Sequence, residues 1–148
     1  MRCFEIFSGT GGLAKGLELA GCKHAALVEF NKHACASLSA NFVPDKVFFG
    51  DIKNFNLDSL NDIDVVAGGP PCQPFSLGGK HKADQDNRDM FPYAIRAIEK
   101  LTPKAFIFEN VKGLLRPSFS DYFDYIILRL TYPGFKAKPF ISWEEHLE

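Results

Sequence analysis

Arg2-Cys3-Phe4-Glu5-Ile6-Phe7-Ser8-Gly9-Thr10-Gly11-Gly12-Leu13-Ala14 decides the fold. A short apolar strand, Arg2 to Phe7, runs through a glycine turn straight into a helix. Leu13, Leu17 and Ala20 share one helical face at the 3.6-residue period, and Gly21 supplies the stop. Strand, tight turn and helix in that order open a βαβ unit. The run Gly9-Thr10-Gly11-Gly12-Leu13-Ala14 fits G-x-G-x-x-A, a turn that lets a ligand approach backbone N–H groups at a helix N-terminus.

The same alternation continues along the chain. His24 to Phe30 reads as a second strand, Lys32 to Asn41 as a helix, and Val47-Phe48-Phe49 as a third strand ending at Gly50-Asp51. Asp64 to Ala67 is the fourth strand, Met90 to Leu101 a helix stopped by Thr102-Pro103, and Ala105 to Phe108 the fifth strand. Tyr122 to Leu130 is a helix entered from Ser120 or Asp121 as cap, and Phe135 to Ile141 is a candidate sixth strand. This spacing predicts an α/β fold: an open, mostly parallel, Rossmann-like sheet with helices on both faces, joined by right-handed crossovers. Ser142 to Glu148 closes no new element, so the sheet reads as C-terminally incomplete; Leu147-Glu148 has the look of a cloning remnant.

At 148 residues and 46% hydrophobic, the chain has the size of one domain with a usable core. A net charge of −1 excludes a global basic field, so any nucleic-acid contact must be local. The cysteines Cys3, Cys22, Cys35 and Cys72 form no C-x-x-C pair and no His stands at a metal-ligand spacing from them, which argues against a zinc site. No apolar run approaches the ~18 residues of a membrane span. A cytoplasmic, reducing setting with free thiols is the expectation.

Candidate chemistry gathers at the strand ends, where open parallel sheets bind their ligands. Glu29, closing the second strand, is either an acceptor for ribose hydroxyls or a solvated strand-end carboxylate. Asp51 closes the third in the same way and could receive the amine of an adenine, with Phe30 and Ile52 offering apolar faces to the ring. Glu109 follows Phe106-Ile107-Phe108, a run expected to surround its carboxyl with low-dielectric neighbours and favour the protonated form. It reads either as a group that protonates a substrate nitrogen or as a cap on the next turn; Asn110 shapes that turn.

Beyond the fourth strand stands Gly68-Gly69-Pro70-Pro71-Cys72-Gln73-Pro74-Phe75-Ser76. Proline fixes φ and biases its predecessor away from helix, so this turn holds Cys72 in one place. A cysteine there is either a buried small hydrophobe or a presented nucleophile. Gly78 to Asn87, polar and glycine-containing, reads as a mobile loop.

These residues, from Phe4 to about Leu130, resemble the DNA (cytosine-5)-methyltransferases. The resemblance rests on Phe7-Ser8-Gly9-Thr10-Gly11-Gly12, Glu29, Asp51, the Pro71-Cys72-Gln73 turn and Phe108-Glu109-Asn110-Val111, all in that family's order. It implies methyl transfer from S-adenosylmethionine, leaving S-adenosylhomocysteine, to C5 of a flipped-out cytosine in double-stranded DNA, within a restriction-modification system and without a metal. By the same resemblance Cys72 is the nucleophile at C6 and Glu109 its partner at N3 and the exocyclic amine. Phe7, Ser8, Gly9, Thr10, Gly11, Gly12, Glu29, Phe30, Asp51, Ile52, Pro71 and Met90 then line the cofactor site. Gln73 and Ser76 would lie near the flipped nucleotide's backbone. Lys80, His81, Lys82 and Arg88, by their place on the loop after Cys72, are read either as groups that reach phosphates once it closes or as a solvated charge cluster.

The family's Gln-x-Arg-x-Arg strand, its target-recognition region and its last motif have no counterpart here. Residues 1–148 are therefore read as a partial cofactor-binding and catalytic domain without a target-recognition domain. Such a chain is expected to be inactive alone and to partner the missing C-terminal portion or a complementing subunit. Two alternatives stand beside this reading: a non-catalytic cofactor- or DNA-binding subunit of a split methyltransferase, and a dinucleotide-binding oxidoreductase domain, which shares the glycine turn and the acid about twenty residues on.

Overall fold

The computed structural model describes residues 1–71, 89–135 and 141–148. The described chain forms two compact units, Met1–Gly69 with Lys100–Glu109, and Pro70–Glu99 with Asn110–Glu148.

The first unit is built on a five-stranded parallel sheet of β1 (Arg2–Ile6), β2 (Lys23–Glu29), β3 (Val47–Phe49), β4 (Val65–Gly68) and β5 (Ala105–Phe108), in the order β3-β2-β1-β4-β5. The order reverses between β1 and β4. That is the switch point at which α/β sheets open a ligand crevice beyond their carboxyl ends. The Rossmann-like parallel sheet expected from the alternation is thus present, with strand bounds shifted by a residue at β2 and β4 and β1 ending at Ile6 rather than Phe7.

Side chains alternate across the sheet, so the register sorts them into layers. Glu5 stands opposite Leu27 on β2 and Ala67 on β4, and these face the helices α1 (Gly12–Leu19) and α2 (Lys32–Asn41). One cluster packs Cys3, Val65 and Ala67 against Leu13, Leu17 and Cys22; another packs Leu27 against Ala14, Leu38, Phe42 and Val47. On the opposite face Phe4 is fully buried and stacks on Phe55, which also meets Phe48 edge-on. Burying each such side chain contributes about 1.5–3 kcal/mol. Asn31 caps α2, its Oδ1 accepting the N–H groups of His33 (2.9 Å) and Ala34 (3.1 Å).

In the second unit α3 (Phe91–Leu101) begins and α4 (Ser120–Thr131) follows the 3-10 turns Lys112–Leu115 and Pro117–Phe119. The expected capping of α4 by Ser120 or Asp121 is not what the chain does. Phe119 holds the N-cap position without a side-chain bond, and Ser120 is already helical, its hydroxyl donating back to the Pro117 carbonyl. A short α5 (Trp143–Leu147) stands where no element was expected, opened by a capping box in which Ser142 and Glu145 exchange bonds. Trp143 packs edge-on against Tyr122, and Arg129 pairs with Glu99 at 3.0 Å. The proposed sixth strand, Phe135 to Ile141, falls largely outside the described residues, as does the loop from Gly78 to Asn87.

Candidate active site

At the carboxyl end of β1 the chain turns sharply, and Phe7 takes a φ of 57°, a left-handed conformation that is costly for an aromatic residue. Ser8 holds the turn down: its N–H donates to the Val28 carbonyl (3.1 Å) and its hydroxyl to that of Glu5 (3.2 Å). Gly11 is dictated twice, by a φ of 95° and by α2, since an added Cβ would lie 2.6 Å from the Phe42 ring and 2.9 Å from Leu38. A Cβ at Gly9 or Gly12 would meet nothing within 4 Å. The outer surface of the turn is therefore open to an approaching group.

Glu29 is buried, and its carboxylate accepts three backbone N–H bonds: Gly9 (2.8 Å) on Oε2, Phe30 (3.0 Å) and Asn31 (2.8 Å) on Oε1. It fastens the glycine turn to the exit of β2, which rules out a merely solvated carboxylate. Next to it the Phe30 ring is 68% exposed. Asp51, half-buried after β3, caps the 3-10 turn Ile52–Asn54 through a bond from the Lys53 N–H, and Ile52 is buried.

The exit of β4 runs hard against β1. A Cβ on Gly68 would fall 2.1 Å from the Ile6 carbonyl oxygen, so only glycine fits. Glu109 donates its N–H to the Gly68 carbonyl (2.9 Å), and its carboxyl oxygen Oε2 would stand 3.3 Å from a Cβ on Gly69. Among the described residues, the low-dielectric shell expected around Glu109 is not found. Among the described strands β5 is at an edge, Phe106 and Ile107 are 41% and 47% exposed, and Glu109 itself is exposed.

Phe7 to Gly12, Glu29, Phe30, Asp51, Ile52 and Glu109 thus belong to one unit and one edge of its sheet. Pro71, exposed, and Met90, half-buried at the start of α3, belong to the other. Cys72, Gln73, Ser76, Lys80, His81, Lys82 and Arg88 lie outside the described residues. The remaining cysteines are buried: burial, with Cys22 and Glu5 nearby, pushes the Cys3 thiol up to about 12, and burial likewise raises Cys35.

Sequence reasoning passed over Glu5. Only 1% exposed, it takes the Ala14 N–H in the first turn of α1, and its Oε2 has no hydrogen-bond partner among the described residues. Burial pushes its carboxyl up to about 7. An acid alternating with Cys3 on the inward face of an apolar strand was the available signal. No group of three or more His, Cys, Asp or Glu side chains among the described residues is placed to hold a metal ion.

A parallel sheet in this order, with a glycine turn at its switch point and acids closing the next two strands, is the architecture of the class I methyltransferases. Within that class the chain belongs to the C-5 cytosine-specific DNA methylase family, whose profile matches residues 1–142. It is 44% identical over 131 residues to the type II methyltransferase M.NgoMIV of Neisseria gonorrhoeae, covering 88% of this chain and 42% of that one. To M.NaeI of Lentzea aerocolonigenes it is 38% identical, covering 93% and 34%. The fold superposes with a TM-score of 0.72 on a DNA modification methyltransferase encoded within an E. coli prophage, at 27% identity, over 88% of this chain and 38% of the other. The chain thus spans less than half the length of these relatives.

Proposed function

We propose that this chain is the cofactor-binding and catalytic part of an enzyme that methylates C5 of cytosine in duplex DNA, using S-adenosylmethionine, as part of a restriction-modification system. The observation that carries it is the gathering of the open glycine turn, Glu29, Asp51 and Glu109 at one sheet edge, in the family's order.

The residues present suit the cofactor. The open surface over Gly9 and Gly12 would admit it to the backbone, Phe30 offers an exposed ring face, and the Glu29 and Asp51 carboxylates after β2 and β3 would accept from its ribose hydroxyls and adenine amine. When bound, S-adenosylmethionine supplies a sulfonium methyl group. Cys72, as thiolate, adds to C6 of the flipped base and moves the C5–C6 π pair onto C5. Glu109 holds N3 and the exocyclic amine as that charge develops. Once C5 carries the methyl group and S-adenosylhomocysteine has left, the C5 proton passes to water, the C5–H pair re-forms the C5–C6 double bond, and Cys72 departs with the C6–S pair as thiolate. Covalent addition makes an otherwise unreactive carbon nucleophilic, and a thiolate is a strong enough nucleophile to do it.

The chain matches less than half the length of these relatives, so in this reading the 148 residues alone transfer little or no methyl and gain activity when supplied with the remainder of such a relative. Calorimetry with S-adenosylmethionine, S-adenosylhomocysteine and NAD tests the pocket. Binding of the first two, weakened at least tenfold by Glu29→Ala, is the expected result. Preference for NAD, or indifference to Glu29→Ala, would overturn it.

A further inference from the structure

Residues 110–120 carry two cations, Lys112 and Arg116, and no acid. In a chain of net charge −1 this is a local basic segment, the form to which the lack of a global field restricts any nucleic-acid contact. Both cations are exposed, and among the described residues neither meets a carboxylate, whereas Lys15, Lys100, Lys104 and Arg129 are each paired with an acid. Their backbone is ordered. The Leu114 N–H donates to the Val111 carbonyl (3.1 Å) and the Arg116 N–H to that of Gly113 (3.3 Å), closing the 3-10 turn Lys112–Leu115, while the Arg116 carbonyl accepts the Phe119 N–H (2.9 Å). Leu114 anchors the turn at 4% exposure, but Val111 and Leu115 are 64% and 65% exposed. Bare apolar side chains interleaved with unpaired cations suit a sugar-phosphate backbone: ammonium and guanidinium groups take phosphate oxygens while the apolar groups lie against the sugars.

We propose that residues 111–116 form a duplex-DNA contact surface, with Lys112 and Arg116 on phosphates of the strand whose cytosine meets Glu109. The inference rests on the reading of this chain as part of a DNA cytosine methylase and deepens it. It adds a surface that holds the duplex to the residue that meets the base. Lys112 stands three residues after Glu109, so the backbone keeps the two Cα atoms within about 11 Å of each other. A base recognised by Glu109 therefore brings the phosphates of its own strand within reach of a lysine side chain. Arg116, one turn further on, takes the strand onward.

The test is titration of a fluorescently labelled duplex with the 148-residue chain across a salt series, read by anisotropy. Four proteins are compared: the parent, Lys112→Gln with Arg116→Gln, the charge-keeping pair Lys112→Arg with Arg116→Lys, and Arg2→Gln with Lys23→Gln. The last pair removes the same charge from exposed positions at the amino ends of β1 and β2, the opposite end of the sheet. Loss of Lys112 and Arg116 should weaken binding at low salt at least tenfold and flatten the slope of log affinity against log salt by about 2, one for each phosphate released. The charge-keeping pair should retain the parent's slope, and the Arg2 and Lys23 pair should lose about twofold or less. Equal losses from the two Gln pairs, or none from Lys112 and Arg116, would overturn the surface. So would a loss in the charge-keeping pair, or exposure of the buried thiols Cys3, Cys22 and Cys35 in the Lys112 and Arg116 Gln pair, since either makes the role structural. A parent chain that binds no duplex overturns it as well, and calorimetry with S-adenosylmethionine then separates the two failures: cofactor binding leaves the methylase reading standing without this surface, and its absence removes both.

Discussion

Glu5 holds a carboxyl inside the sheet layer with one oxygen on the Ala14 N–H and the other without a partner among the described residues, and it does so at a measurable cost. The folded chain keeps its proton to about pH 7, whereas the unfolded chain releases it near 4.5. Folding therefore takes up a proton between those values, and stability falls as pH rises through that window, by about 3 kcal/mol in full. Glu5→Gln should leave stability unchanged near pH 4 and raise it by up to about 3 kcal/mol at pH 8, read by urea denaturation. An equal effect at both pH values would show that the carboxyl does not titrate there. The cysteines give a second expectation at this scale. Cys3, Cys22 and Cys35 are buried, and the Cys3 and Cys35 thiols are held largely protonated, so alkylation of the native chain should label Cys72 first. Earlier labelling of any of the three would count against an open Cys72. Glycine turn, Glu29, Asp51 and Glu109 were legible as single residues because each closes a strand. The three backbone bonds that Glu29 accepts were not, since they depend on where the turn after β1 meets the end of β2.

Among the elements, the join of β1 and β4 sets the edge on which the site is built. Gly68 lets the two strand ends approach to where a Cβ would overlap the Ile6 carbonyl, so Gly68→Ala must push them apart. We expect a loss of about 3 kcal/mol or more in chemical denaturation, with weakened binding of S-adenosylmethionine. A neutral substitution would mean that the strand ends part easily. At the N-terminus of α2, Asn31→Ala should cost only about 1 kcal/mol, one cap lost. The five strands were readable from apolar runs bounded by polar or glycine residues, because a buried parallel strand has that composition wherever it occurs. Helix ends were less so. The entry to α4 is set by the Pro117–Phe119 turn rather than by a Ser or Asp cap, and α5 was overlooked although Ser142-x-x-Glu145 spells its capping box. The exposure of Glu109 was hidden for a different reason: an apolar run reads alike in a central strand and at an edge, and only the strand order distinguishes them.

For the whole molecule, family membership and partial coverage point the same way. The described sheet edge carries Glu29, Asp51, Glu109 and the open glycine turn, and the chain, a member of the C-5 cytosine-specific DNA methylase family, spans less than half the length of its relatives. The covalent chemistry proposed for Cys72 is therefore best measured with the chain joined to the remainder of such a relative. Transfer of tritiated methyl groups from S-adenosylmethionine to duplex DNA, followed by base analysis, reads the central claim directly. The account predicts label in 5-methylcytosine with the parent, little or none with the 148-residue chain alone, and loss of at least a thousandfold in rate with Cys72→Ser, on the order expected when a catalytic nucleophile is removed. Transfer by the Cys72→Ser enzyme as fast as by its parent, or label on any position other than C5 of cytosine, would contradict it.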